Sequence, residues 1–572
     1  MGRGWRLFVL GWALVLGGGW LAHAIQTSGG VEVRDVRFPG EAGVELSGLL
    51  YVPPGAAAGR RTPAVLLSHG YINTREMQSA FAIELARRGF VVLAMDMTGH
   101  GWSGGAVGQQ DFGGPAALRY LRSLPYVDRD NVGLGGHSLG GAPILAAATE
   151  APDSYRAVVL VGSTPGILGS KGAATPQFPR NLALVFGRYD EFAEFMWQVP
   201  TGADIVGAPR LAAIFDAPAP LQPGRVYGSI EDGTARVLHV PPITHPWEHF
   251  SHLAVGQSVD WLQTTLSGEA SPRDPADQIW IWKEVGTLLA FGGGLLVMLG
   301  AFQLGLRLPG FAALARPGEA ARERRDGRWL LGFLLTAAVP ALAYFPLMKL
   351  GQAFFPMPLF PQWITNQLLA WALGSAVITL VIGRLLRPPA ARFETRWLAS
   401  AGLALLSVGA AYLALVVVDA IFKVDFRFWV VGLKPLDARH ALQALAYLPL
   451  WTLFFLVAIR ALAIGLPIRR EGELVQLALA KLAMSLGFVV LLAAEYGALF
   501  ATGRLLTPAE PLNTVIAIQF APLLAIVGAI GVFTWRRTNS YAPGAFMCAL
   551  FITWYVVGGT ATHWFPGFGP PG

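Results

Sequence analysis

The chain has 572 residues, 53% of them hydrophobic and 14% charged, with a formal net charge of +7 and a mean hydropathy of +0.48. A soluble globular protein carries roughly 25% charged residues, so a wholly soluble chain is excluded. Residues 1–272 hold 19 Lys/Arg against 22 Asp/Glu and residues 273–572 hold 24 against 14, so the basic balance sits in the apolar half, where it reports membrane topology and argues against nucleic acid as a partner.

At the N-terminus, Trp5 to Ile25 is an apolar run long enough to span a bilayer, preceded by Arg3 and Arg6. Residues 1–25 are expected to be a transmembrane anchor, with a signal peptide as the alternative because Ala22-His23-Ala24 has the small-x-small cleavage pattern. Either one carries residues 26–266 across the membrane. That segment alternates short apolar runs with helical patterns, the mark of a largely parallel sheet with crossover helices. Strands are predicted at Val44–Val52, Ala64–Ser68, Phe90–Met95, Val132–Gly135, Ala157–Val161, Leu182–Phe186 and Arg236–Val240, and helices near 75–88, 111–124, 139–150 and 247–265.

A polar linker with two prolines follows at 267–277, then a membrane domain at 278–572. Apolar stretches recur at 282–306, 328–350, 364–386, 397–418, 442–464, 474–500, 512–535 and 543–563, predicting eight spans, or nine with the first. With the N-terminus inside, the cytoplasmic loops collect Arg307, Arg316, Arg322, Arg324, Arg325, Arg328, Arg384, Arg387, Arg392, Arg396, Arg469, Arg470, Arg536 and Arg537. One opposite loop breaks the pattern with Lys423, Arg427, Lys434 and Arg439. Trp280, Trp282, Trp329, Trp363, Trp397 and Trp564 sit at span ends as an aromatic belt would. Asp419, Arg460, Lys481 and Glu495 are the ionisable groups in or near spans. Cys548 is the only cysteine, which excludes an intrachain disulfide and a Cys-based metal site.

After the strand Val132–Gly135 stands Gly136-His137-Ser138-Leu139-Gly140, then a helical pattern. This is the nucleophile-elbow pattern in its required strand–turn–helix setting, where a tight turn raises the serine hydroxyl and the next N–H, that of Leu139, faces a developing oxyanion. With Ser68-His69-Gly70, the run from Asp96 through Gly99-His100-Gly101-Trp102-Ser103, and Gly187-Arg188-Tyr189-Asp190, residues 26–266 resemble the α/β-hydrolase family, in particular its esterase, dienelactone-hydrolase and S9-type peptidase members. An arginine that family members often carry after the aspartate is replaced by Met97-Thr98. The resemblance implies an α/β-hydrolase fold for residues 26–266 and covers nothing of the membrane half, where the apolar stretches predict an all-α transmembrane bundle. It also implies an oxyanion hole completed by the backbone N–H of Gly70 or Tyr71.

In that fold the acid and base follow the serine in the order Ser, acid, His. Asp190, just past Leu182–Phe186, is the expected acid, with Glu191 and Glu194 as competitors. His245, in the loop after Arg236–Val240, is the expected base; His249 is the alternative, and with His252 is otherwise expected to ride on the final helix as a packing or surface group. His239 reads as structural, His69 and His100 as loop supports, and His137 as a neighbour of the elbow. The triad Ser138, Asp190 and His245 needs no cofactor and no metal. Phe192–Gly233 is long enough to cap a site, and its aromatics serve equally as packing. The expected function is a membrane-bound serine hydrolase of carboxylic esters, small or lipid, with its catalytic domain extracytoplasmic. An S9-like peptidase is the near alternative, and a transporter or scaffold with a non-catalytic head is the alternative of another class. Oligomeric state is not legible.

Overall fold

A computed structural model describes residues 2–57, 59–266, 273–354, 357–386 and 393–559. The linker residues 267–272, Arg387, Arg392, Trp564 and the end of the 543–563 stretch lie outside the described residues.

The head is built on a nine-stranded sheet: β1 Glu32–Pro39, β2 Glu45–Val52, β3 Thr62–Ser68, β4 Val91–Met95, β5 Val127–His137, β6 Ala157–Val161, β7 Leu182–Val185, β8 Val226–Tyr227 and β9 Arg236–His239. Their order is β1-β2-β4-β3-β5-β6-β7-β9-β8. From β4 to β9 every neighbouring pair is parallel, and the antiparallel pairs lie at the two edges. Successive side chains point to opposite faces, so β3 sends Leu66 to one core and Val65 and Leu67 to the other. Helices Gly114–Ser123 and Gly141–Glu150 cover the first face, and Ser79–Ala86 and His252–Thr265 the second. Two faces covered by helices explain why these strands read as continuous apolar runs.

β1 escaped the sequence reading. Its run Glu-Val-Arg-Asp-Val-Arg-Phe-Pro is a mostly exposed edge strand, so charge masks its alternation.

Beyond the head, eight helices among the described residues are long and apolar enough to cross a membrane: Arg3–Gln26, Trp280–Gly305, Trp363–Leu386, Trp397–Phe422, Ala438–Gly465, Glu473–Thr502, Pro511–Thr538 and Ala542–Gly559. A ninth apolar stretch is a bent pair, Gly327–Leu342 and Tyr344–Gly351, which meet at 41°. Pro340 and Pro346 flank the break, where a missing N–H weakens the helix ladder. The glycines of the first helix have a packing role. A Cβ on Gly18 would lie 2.5 Å from the Gly286 carbonyl oxygen, and one on Gly293 2.6 Å from that of Gly11. Helices Arg3–Gln26 and Trp280–Gly305 therefore touch backbone to backbone, as small residues permit in an apolar medium.

The loop whose charge breaks the topology pattern forms a hairpin, β10 Phe426–Phe428 with β11 Val431–Leu433, and it plugs into the head. Lys434 Nζ lies 2.6 and 2.8 Å from the two carboxylate oxygens of Glu76. Arg427 forks onto Asp425 at 2.9 and 2.7 Å and reaches Thr74. Arg439 donates to the Ser103 carbonyl and Lys423 to that of Ala420. These cations answer to hydrogen-bond partners, which is why they depart from the pattern set by the other loops. The described end of the linker is docked as well: buried Arg88 donates to the Asp274 and Asp277 carbonyls at 2.6 and 2.9 Å.

Candidate active site

The carboxyl ends of β3, β5, β6, β7 and β9 converge on one cavity, as open parallel sheets arrange. Ser138 follows β5 with φ of +53°, in the left-handed region that a non-glycine residue enters only under constraint. Space explains its small neighbours: a Cβ on Gly136 would lie 2.4 Å from the Gly140 carbonyl oxygen, and one on Gly140 2.4 Å from that of Ser68. The Ser163 hydroxyl, just past β6, donates to the Ser138 carbonyl at 2.6 Å and pins the turn.

His245 opens a short 3-10 turn, His245–Phe250, after β9. Its Nδ1 lies 2.8 Å from Asp190 Oδ2, and Asp190, beyond β7, also accepts the Phe192 N–H at 2.7 Å. Ser138, His245, Gly70, Tyr71 and Leu139 line one cavity of about 1100 Å³. The structure thus brings together every residue picked from the sequence for the triad and the oxyanion hole.

The competitors find other places. Glu194 pairs with Arg504 at 2.8 Å. Glu191 holds the backbone of the candidate base: its Oε2 accepts the His245 N–H at 2.8 Å, and its Oε1 accepts the hydroxyl of Tyr496, from helix Glu473–Thr502, also at 2.8 Å. His249 differs from expectation. It is buried in the 3-10 turn, edge-on to His137 with ring centroids 4.8 Å apart, and it lines the cavity. His252 does begin the helix and is exposed. His69 accepts the Met97 N–H at 3.2 Å and His100 contacts the Thr98 carbonyl, both as supports of the loop. Of the aromatics in Phe192–Gly233, Trp197 and Phe215 pack in the core, whereas Phe192 and Phe195 line the cavity.

Glu248 had no part in the sequence reading. Its Oε1 accepts the Gly187 N–H at 2.7 Å, and its Oε2 lies 3.4 Å from His137 Nε2 and 3.5 Å from His245 Nδ1. Burial, reinforced by the Asp190 carboxylate, pushes Glu248 well above the usual carboxylate range, which favours its neutral form. Burial also holds His137 well below the usual range and His249 at about 3, so both rings are neutral. His245 differs: burial works against its charged form, yet Asp190 raises it above the ordinary 6.5. For Glu191, burial and the Asp190 charge push the carboxyl up to about 7.

His137, His245 and Glu248 have ligand atoms within 4.8 Å of one another, the one group among the described residues with metal-ligand spacing. The donor set fits a divalent cation poorly. Glu248 has one oxygen on the Gly187 N–H, and His245 Nδ1 is engaged by Asp190.

Residues 63–201 match the family described as the alpha/beta hydrolase fold, and the head has that fold, a mostly parallel sheet with the helical bundle following it. Among curated proteins the chain is similar to the uncharacterized protein PA2218 of Pseudomonas aeruginosa, 33% identical over 130 residues that make up 21% of this chain and 34% of the relative. It is also similar to the quorum-quenching protein AidA of Acinetobacter baumannii, 35% identical over 135 residues, 22% of this chain and 42% of the relative. The chain thus spans roughly a third to two-fifths of the length of the curated relatives it matches. Among solved structures, dienelactone hydrolase from Anabaena variabilis is 20% identical, covering 41% of this chain and 99% of its own, with a TM-score of 0.27.

Proposed function

We propose that the protein is a membrane-bound serine hydrolase acting on carboxylic esters. One observation carries the reading: His245 is held at 2.8 Å by Asp190 in the cavity that Ser138 lines from a strained elbow. The family match contains Ser138 and Asp190 but ends before His245, so the base is assigned from geometry.

In the proposed reaction His245 Nε2 takes the Ser138 proton as Oγ bonds to the ester carbonyl carbon. The N–H of Leu139, with that of Gly70 or Tyr71, holds the tetrahedral oxyanion. The carbon–oxygen bond to the alcohol breaks, and His245 returns its proton to that leaving oxygen. Water, activated in turn by His245, releases the acid from the acyl-enzyme. Asp190 fixes the imidazole tautomer and stabilises the imidazolium.

The head-side ends of the helices carry the hairpin and the contacts with the head, and the far ends carry Arg307, Arg316, Arg325, Arg469 and Arg537. With positive loops inside, we place the head on the extracytoplasmic side. A transport reading gains little support. Glu495 is taken up by the N–H and hydroxyl of Thr507 at 3.1 and 2.8 Å, and Lys481 is exposed.

Treating intact membranes with a fluorophosphonate and sequencing the adduct tests the reading. The expected adduct is on Ser138; a folded wild-type protein that takes no label would reduce the head to a binding module.

Two pH results should follow. The general base must be neutral, so kcat/KM is expected to rise with pH through a midpoint above the ordinary histidine value of 6.5. The Glu191 charge helps raise His245, so Glu191→Gln, which keeps an acceptor for the His245 N–H, should move that midpoint to lower pH. Tyr496→Phe removes a bond that favours the ionised Glu191 and should move it the same way by less. Midpoints that stay put in both variants would remove Glu191 and Tyr496 as positioning residues for the base.

A further inference from the structure

The cavity at Ser138 has two walls of different origin. The head supplies the reacting groups and Phe192, while the membrane-side helices supply Pro511, Leu512, Val515 and Gln519. Those four lie on helix Pro511–Thr538, whose 28 residues span about 42 Å against a hydrocarbon thickness of about 30 Å. Gln519 is eight residues past Pro511, about 12 Å along the axis, and so some 6 Å inside the hydrocarbon level for a centred helix. The amide oxygen at that depth is already engaged, since Gln519 Oε1 accepts the Tyr555 hydroxyl. Between the rim and that amide the wall offers a ligand the apolar surface of Leu512 and Val515.

At about 1100 Å³ the cavity exceeds the roughly 300–1,000 Å³ of a small-molecule pocket. The two cations on its rim are paired, Lys171 with Asp111 at 2.6 Å and Arg504 with Glu194 at 2.8 Å. An anionic headgroup therefore meets no unpaired charge in either of them. A peptide would bring backbone N–H and C=O groups to a depth without water to receive them. His249 adds a polar contact near the reacting end. It is 4% exposed, it lines the cavity, and neither ring nitrogen has a hydrogen-bond partner among the described residues.

We propose that the substrate is a membrane-resident ester with a long acyl chain, the chain lying against Leu512 and Val515 and the ester carbonyl at Ser138. The inference rests on the serine-hydrolase reading and adds the substrate class. On this view the membrane bundle contributes part of the binding site and acts as more than an anchor.

The test uses the full-length protein in phosphatidylcholine vesicles and compares Ser138 labelling by an ethyl and a hexadecyl fluorophosphonate. In each case Oγ bonds to phosphorus and fluoride leaves. Leu512→Trp and Val515→Trp fill the membrane-side wall without touching the triad. The hexadecyl rate is expected to fall about tenfold or more in these variants, the scale of a lost apolar pocket, with the ethyl rate unchanged within about twofold. If either Trp variant loses the ethyl reaction as well, Leu512→Ala takes its place; it trims the wall and should slow the hexadecyl probe alone. A hexadecyl rate untouched by variants that still label with the ethyl probe would overturn the long-chain substrate and leave the hydrolase reading standing. A wild type that neither probe labels would overturn both.

Discussion

Ser138→Ala is expected to lower ester turnover by roughly 10⁴–10⁶-fold and to abolish fluorophosphonate labelling, the range seen when a triad loses its nucleophile. Nothing else at the elbow can replace it. The neighbours on either side are His137 and Leu139, and the nearby Ser163 hydroxyl is committed to the Ser138 carbonyl. Asp190→Asn should cost about 10⁴-fold, because an amide facing His245 Nδ1 no longer selects the tautomer that leaves Nε2 free to accept. His245→Ala belongs in the same range as the serine variant, and combining the three should cost little more than the worst single one, since they act as a unit. Initial rates on p-nitrophenyl esters with purified full-length variants, each checked for fold by circular dichroism, would measure all of this. Turnover by Ser138→Ala at even a tenth of wild type would mean that the nucleophile lies elsewhere.

The second large effect concerns stability. Lys434 is 3% exposed and sits on Glu76, itself 8% exposed. Burial alone would drive Glu76 toward its neutral form, but Lys434 and Arg75 hold it well below the usual carboxylate range. Lys434→Ala therefore leaves a buried carboxylate short of its nearest cation, a change that costs about 3–5 kcal/mol for a buried pair broken from one side. Tryptophan fluorescence is a suitable readout, because Trp102, Trp429 and Trp554 all donate hydrogen bonds at this junction. The denaturant midpoint should drop clearly in Lys434→Ala. Replacing both partners, Glu76→Gln with Lys434→Met, should recover much of the loss, because two neutral groups carry no unpaired charge. Equal midpoints for wild type and Lys434→Ala would show that the junction is held by packing alone.

What was legible in the sequence was local. The elbow announces itself within five residues, and chain order then points to an acid after β7 and a base after β9, where Asp190 and His245 stand. Long apolar runs marked the helices long and apolar enough to cross a membrane, and the bent pair kept its place as one stretch. What escaped depends on distant parts of the chain meeting. Tyr496 reads as one more aromatic in an apolar helix until its hydroxyl is seen on Glu191, 305 residues away. Glu248 reads as a surface acid beside two histidines until the ends of β7 and β9 close around it. The same holds for Trp429, which donates to the carbonyl of Pro246, the residue after the candidate base. One signal of this interlocking did stand in the sequence: the hairpin loop whose cations violated the topology pattern was the loop that enters the head.

That hairpin has a consequence for how the molecule is made. Lys434 is 358 residues later in the chain than Glu76, so at about 5–20 residues per second Glu76 emerges roughly 20–70 s before its cation does. Four apolar stretches long enough to cross a membrane, from Trp280 to Phe422, are made during that interval. A chain arrested before residue 434 leaves the buried Glu76 carboxylate with Arg75 but without its nearest cation, so the head's core is completed by a segment made long after it.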